Sequence, residues 1–148
     1  RGNNMQNKSM AFFYLTPEFY EKYKNCKEIL QKQKRPYAVH LIRYNNLTFA
    51  IPVRSNINHN FSYKTIGSKG LDFTKTVIIT DEKYLSDNKA VINHEEYLKL
   101  DKNRKFIEKK MLSYLKIYKK ALKTPDTNKN KTILSKSALQ YFHKELGI

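Results

Sequence analysis

YAVHLIRYNNLTFAIPV, Tyr37 to Val53, sets two β-prone runs on either side of a pair of asparagines. The runs YAVHLIR (Tyr37 to Arg43) and LTFAIPV (Leu47 to Val53) are joined by Tyr44, Asn45 and Asn46. Asparagine tolerates the positive φ that tight turns demand, so the stretch predicts an antiparallel hairpin. In the second run Leu47, Phe49, Ile51 and Val53 share one face at period two, and Thr48, Ala50, Pro52 and Arg54 share the other. Pro52 has no N–H to give to a ladder and marks an edge or a bulge. It stands where the strand spills into SNINHNFSYKT, Ser55 to Thr65, a loop of hydroxyls, amides, a histidine and cations.

Working outward, AFFYLT (Ala11 to Thr16) reads as a short aromatic strand that hands over to a helix at Thr16-Pro17-Glu18, with Pro17 in the first helical position. That helix is expected to run to about Leu30, with Phe19, Tyr20, Tyr23 and Ile29 near one stripe. After Gly67 and Gly70, FTKTVIIT (Phe73 to Thr80) reads as a third strand, and Phe61 to Thr65 as a weaker one. The middle of the chain is thus predicted to be a strongly curved antiparallel sheet, which makes the fold α+β.

From Asp101, a good N-cap, to about Lys123 the pattern is that of one long helix, with Phe106, Ile107, Met111, Tyr114, Leu115, Tyr118 and Leu122 at helical spacing and lysines outside. TPDTNKNKT (Thr124 to Thr132) reads as a polar linker and Ser135 to Leu146 as a final helix. No internal repeat is present. Arg1 to Asn4 precede the first methionine, Met5, and are set aside as a leftover of expression cloning; residues 5–148 are read as one domain.

The balance of 29 Lys and Arg against 13 Asp and Glu leaves a net charge of +16, far more than solubility asks for, and predicts an anionic partner, nucleic acid first. Eight Phe and 11 Tyr supply rings that either fill the core or stack on bases. Cys26 is alone, so no disulfide framework and no Cys-based zinc site can be built, and a reducing cytoplasm fits. No run approaches the roughly 20 apolar residues of a membrane span. The basic residues are spread along the chain rather than gathered on one amphipathic helix, which disfavours a membrane surface.

If the partner is RNA, each nucleotide carries its own nucleophile, the 2′-OH. An enzyme then has only to align that hydroxyl, take its proton, stabilise the phosphorane and protonate the departing oxygen. Arg54 offers a fork of donors for phosphate, Ser55 a hydroxyl, and His59 a ring that exchanges protons near neutral pH. Tyr63 and Lys64 add a stacking ring and a charge, and Lys34-Arg35-Pro36-Tyr37 stands at the mouth of the adjoining strand. A basic loop after a strand is more often only a solvated surface. His40, inside an alternating strand, reads as a partnered, semi-buried residue rather than a catalyst, and His94 and His143 as surface. Without a His/Asp/Glu cluster no metal and no cofactor are expected.

The order of these elements resembles a known family. An aromatic first strand (MAFFYLTPEFYEKYK), a hairpin entered through x-Pro (RPYAVHLIRYNNLTFAIPVRS), the GLDFTKTVII strand after a glycine turn and a long basic helix late in the chain together resemble the ToxN/AbiQ endoribonuclease toxins of type III toxin–antitoxin systems, the CptN branch above all. The likeness spans Met10 to the end, with clear motifs in the middle third. It implies a highly twisted antiparallel sheet, a partly open barrel related to the MazF/Kid core, with surrounding helices. It also implies metal-independent cleavage of cellular mRNA to a 2′,3′-cyclic phosphate and a 5′-OH. The inhibitor it implies is a cognate pseudoknot RNA, cut by the toxin from a repeated transcript and locked with it in a closed toxin–RNA hetero-oligomer.

Carried over by position, the hydroxyl-bearing turn after the strand proline falls on Arg54 and Ser55, where ToxN-like relatives usually have Thr-Ser. The general base stays open among Tyr37, Arg35 and His59. Expected RNA contacts are Lys34, Arg35, His40, Arg43, Tyr63, Lys64, Lys119 and Lys120. The other reading is a basic RNA-binding module without catalysis, since attraction to phosphate is common to both. A DNA-binding protein ranks below these, because no helix-turn-helix signature is present.

Overall fold

The computed structural model describes residues 11–31 and 36–148, which form an α+β fold. Its strands are β1 (Phe12–Leu15), β2 (Ala38–Tyr44), β3 (Leu47–Arg54), β4 (Ser62–Lys64), β5 (Gly70–Asp72), β6 (Val77–Ile78) and β7 (Leu85–Lys89). Its helices are α1 (Pro17–Lys22), α2 (His94–Lys102), α3 (Arg104–Lys123), α4 (Asn128–Lys136) and α5 (His143–Leu146).

The hairpin is where the asparagines place it. Asn45 and Asn46 take φ of 52° and 63°, the handedness that matches the twist of the flanking strands, and the ladder runs from Tyr44↔Leu47 to Val39↔Pro52. Around it the antiparallel sheet has the order β4-β5-β3-β2-β1-β7, with β6 on β3, and it does not close into a barrel.

Pro52 sits where β3 changes neighbours. Phe49 and Ala50 pair with β6, Val53 and Arg54 pair with β5, and the residue without an N–H lies in the gap. The expected one-sided alternation of β3 gives way to burial of Phe49, Ala50, Ile51 and Pro52 together, because the sheet is covered on both faces. Ala50 and Pro52 share a cleft with Tyr20 and Ile29, while Leu47 and Phe49 share one with Leu115 of α3.

Five expected elements are corrected. The first helix ends at Lys22 instead of Leu30; residues after it form successive turns tied by the Gln31 amide, which donates to the carbonyls of Tyr23, Cys26 and Ile29. There Phe19 and Tyr23 stack at 4.6 Å and pack on Tyr84 and Phe142. The strand expected over Phe73 to Thr80 is interrupted, because Asp72 accepts from the Thr74 N–H and folds Phe73–Lys75 into a 3-10 turn, leaving only Val77–Ile78 as β6.

The long helix starts at Arg104. Asp101 lies inside α2 instead of capping α3, and the break falls at Asn103, whose side chain donates to the Lys99 carbonyl at 2.7 Å. The expected polar linker is already helical from Asn128, capped by Thr127, and the expected final helix is broken at Ser137 into a 3-10 turn, Ala138–Tyr141, and the short α5. Ser137 accepts from Leu139 N–H and from the Tyr114 hydroxyl at 2.7 Å, so it turns the chain and ties it to α3.

α3 buries Ile107, Met111, Tyr114, Leu115, Tyr118 and Ala121 at spacings of three and four, the stripe its periodicity predicts. Phe106, 54% exposed, and half-buried Leu122 depart from the expected set, and Ala121 joins it. Among the described residues no helix is long and apolar enough to cross a membrane.

His40, on β2, is 7% exposed, with its ring 5.6 Å from that of Phe12. Burial pushes its imidazole down to about 4, against a hydrogen bond with the Ala11 backbone and with help from the Arg104 charge. In the unfolded chain the ring titrates at about 6.5. Between these values the unfolded chain binds a proton that the folded one refuses. Stability is therefore full above about pH 6.5 and falls as the pH drops toward 4, by on the order of 3 kcal/mol. Urea unfolding at pH 7 and pH 4.5 should show a much flatter pH dependence in His40→Leu than in the parent; equal slopes would refute the assignment.

Candidate active site

β3 delivers Arg54 to the edge of β5, where its backbone pairs with Gly70. Two residues on, Asp72 is wholly buried, and a carboxylate there must be fully partnered. It accepts from Arg54 Nη1 at 2.8 Å, from the Thr74 N–H at 3.0 Å and from the Thr74 hydroxyl at 2.6 Å. His59 Nε2 stands 3.1 Å from Oδ1, the oxygen that both Thr74 donors reach, while Arg54 holds Oδ2. That approach lies off the line of a hydrogen bond, so the His59 contact is electrostatic, while the other three are directed bonds.

The loop that carries His59 is pinned rather than free. Asn56 turns it with φ of 60°, Ile57 is buried and donates its N–H to the Ser68 carbonyl at 2.9 Å, and Phe61 N–H donates to His59 Nδ1 at 3.1 Å. The His59 carbonyl in turn accepts from the Ser62 hydroxyl and the Lys64 ammonium. Because Nδ1 accepts, the ring proton of the neutral imidazole sits on Nε2, toward Asp72. Only Nδ1 is hydrogen-bonded to the protein; buried Nε2 faces Asp72 without a hydrogen bond, and the Nδ1 bond fixes the ring against the loop.

Lys75 closes the other side. Burial pushes its ammonium down, Asp72 and Glu28 oppose the shift, and Arg54 and Lys136 reinforce it. Its Nζ donates to the Lys136 carbonyl at 3.1 Å, at the end of α4. Lys75, Tyr37 and Pro52 line one narrow cleft of about 10 Å³, room for roughly one water.

The expected residues fall into groups. Arg54 and His59 meet on Asp72, Ser55 follows Arg54 and is exposed, and Tyr37 reaches the cleft beside Lys75. Lys64 and Tyr63 are on β4 beside the pinned loop. Arg43 donates to the Thr48 hydroxyl at the turn end of the hairpin, roughly 20 Å along β3 from Arg54. Lys119 lines a groove there with Tyr44 and Asn45, and Lys120 is exposed on α3. The cationic candidates thus lie at both ends of the sheet. His40 is corrected: it is buried in the sheet and out of reach of an RNA backbone. Lys34 and Arg35 lie outside the described residues. His94 is exposed, as expected, but His143 is half-buried and hydrogen-bonded to the Tyr118 hydroxyl at 2.6 Å.

Thr74 and Lys75 were hidden inside a segment that reads as strand, and Asp72 immediately before it. The signal that could have found them is the Asp-x-Thr spacing, which favours a side-chain-capped turn over a ladder. Among the described residues no group of three or more His, Cys, Asp or Glu converges as metal ligands. Compared with protein-family models, curated proteins and solved structures, the chain has no match.

Proposed function

We propose that the chain is an endoribonuclease that works without a metal ion. The 2′-oxygen attacks the neighbouring phosphorus and gives its proton to a base; the bond to the 5′-oxygen breaks, and that oxygen takes a proton from an acid. The products are a 2′,3′-cyclic phosphate and a 5′-OH. The observation that carries this reading is the convergence of Arg54 and His59 on buried Asp72 beside exposed Ser55.

Arg54 spends one nitrogen on Asp72, and the rest of its fork serves a phosphate oxygen. Ser55 holds the phosphate or the 2′-OH. Lys75, whose burial makes its ammonium a readier proton donor, and Tyr37 exchange protons with the substrate by way of the single water for which their cleft has room, while His59 orients the loop. The +16 charge draws the RNA in.

The resemblance extends the proposal: the sheet is a distant version of the MazF/Kid core, the protein acts in the cytoplasm on cellular mRNA, and a folded pseudoknot RNA restrains it in a closed assembly. Growth arrest on expression, relieved by a repeat-containing transcript, tests that part.

The chemistry is tested on a single-stranded oligoribonucleotide in EDTA. Cleavage should persist, end in a cyclic phosphate and vanish with the all-deoxy oligonucleotide. Ser55→Ala should slow it by about 10²-fold while binding changes less than about twofold. Undiminished cutting by Ser55→Ala overturns the assignment, and tight binding without any cleavage leaves the non-catalytic RNA-binding module.

A further inference from the structure

Beside the pinned loop, where α3 crosses the sheet, a groove of about 360 Å³ opens. Its floor is Phe73 and Tyr114, its walls are Phe61 and Phe106, and Lys109 and Lys110 stand at its rim. The lining is mostly apolar, yet Phe106 is 54% exposed on a helix whose neighbouring Ile107 is fully buried. Packing does not account for a phenylalanine in that position.

The rings are arranged as a wall. Phe61 lies 5.5 Å from Tyr114, and Tyr63 meets Phe106 in a T-shaped contact at 6.0 Å that holds the Phe106 ring while about half of the residue stays exposed. Lys110 Nζ is 5.7 Å from the Phe106 centroid. The groove adjoins the candidate active site, since Phe61 is two residues from His59 and their rings are 6.4 Å apart.

We propose that this groove is a subsite for an unpaired nucleobase of the RNA, flanking the phosphate held at Arg54. It rests on the reading of the chain as an RNA-processing protein. The occupant is chosen by charge: the rim is cationic and no carboxylate lines the groove, so a second copy of a chain bearing +16 meets like charge there. A nucleotide presents the opposite combination, a flat π face for the rings and a phosphate for the lysines.

The test uses the full chain and labelled 2′-O-methyl octamers, which cannot cut themselves, with an octamer of abasic units as the equal-charge control. The parent should prefer the base-bearing octamer, and Phe106→Ala should weaken that binding about tenfold and leave the abasic octamer unchanged. Phe106→Trp should retain it, and Lys109→Ala should weaken both octamers alike and lower the salt slope by about one.

If the parent binds and Phe106→Ala matches it on both octamers, or loses both equally, the subsite is refuted and the RNA reading stands. If the parent neither binds nor cleaves any RNA, both fall. A change of sedimentation mass in Phe106→Ala would assign the groove to a second copy of the chain and also overturn the proposal.

Discussion

Asp72→Ala should destabilise the fold by about 3 to 5 kcal/mol, the range for removing one partner of a buried ion pair. The carboxylate is wholly buried and holds Arg54, His59 and both donors of Thr74. Without it the guanidinium keeps its desolvation cost and loses its counter-charge, and the 3-10 turn over Phe73–Lys75 loses its cap.

In a domain of this size each kcal/mol moves the midpoint by about 2 to 4 °C, so the melting temperature should fall by roughly 6 to 20 °C. Asp72→Asn, which keeps an acceptor for Thr74 but not the charge, should lie between parent and Asp72→Ala. In a double-mutant cycle with Arg54→Met the two losses should be clearly sub-additive. Parent-like melting of Asp72→Asn would show that the charge contributes nothing and that Arg54 and His59 are held by other means.

Gly70→Ala should be comparably damaging for a different reason. Gly70 has φ of 155°, and a Cβ there would stand 2.0 Å from the Tyr63 carbonyl oxygen and 2.8 Å from Lys64 Cα. Both are backbone atoms, so no side chain can swing away. The strand must separate from β4, breaking the pairing of Tyr63 with Leu71 and of Lys64 with Gly70. Strain and lost pairing together should cost at least about 3 kcal/mol. Urea unfolding gives the magnitude, and faster amide exchange confined to β4 and β5 gives the place. Unchanged exchange there would mean that the close approach of the two strands is not needed.

The same cluster explains what reading residues in order can and cannot find. The hairpin was legible because its turn is local chemistry, two asparagines at positive φ between alternating runs. The buried stripe of α3 was legible because helical period reports the covered face directly. Phe106 was misplaced among core residues because periodicity marks it as neighbour to the stripe and cannot say where the opposing sheet ends. The Phe73 to Thr80 strand was misread because β-propensity is weaker than a carboxylate two residues from a threonine N–H. Of the site, Arg54, Ser55 and His59 stood out by chemical type. Asp72 did not, being 18 residues from Arg54 and looking like the polar edge of a strand.

By itself the sequence determined the hairpin and its proline gap, the apolar face of the longest helix and an excess of positive charge. Each depends on neighbours within a few residues or on a sum over all of them. Only the tertiary structure decided that Arg54, His59 and Thr74 share one carboxylate, and that half-buried Phe61 of the loop and exposed Phe106 of α3 line one groove. The physical reason is that a buried charge is tolerable only when donors arrive from several segments at once, and that arrangement exists only after the chain has folded.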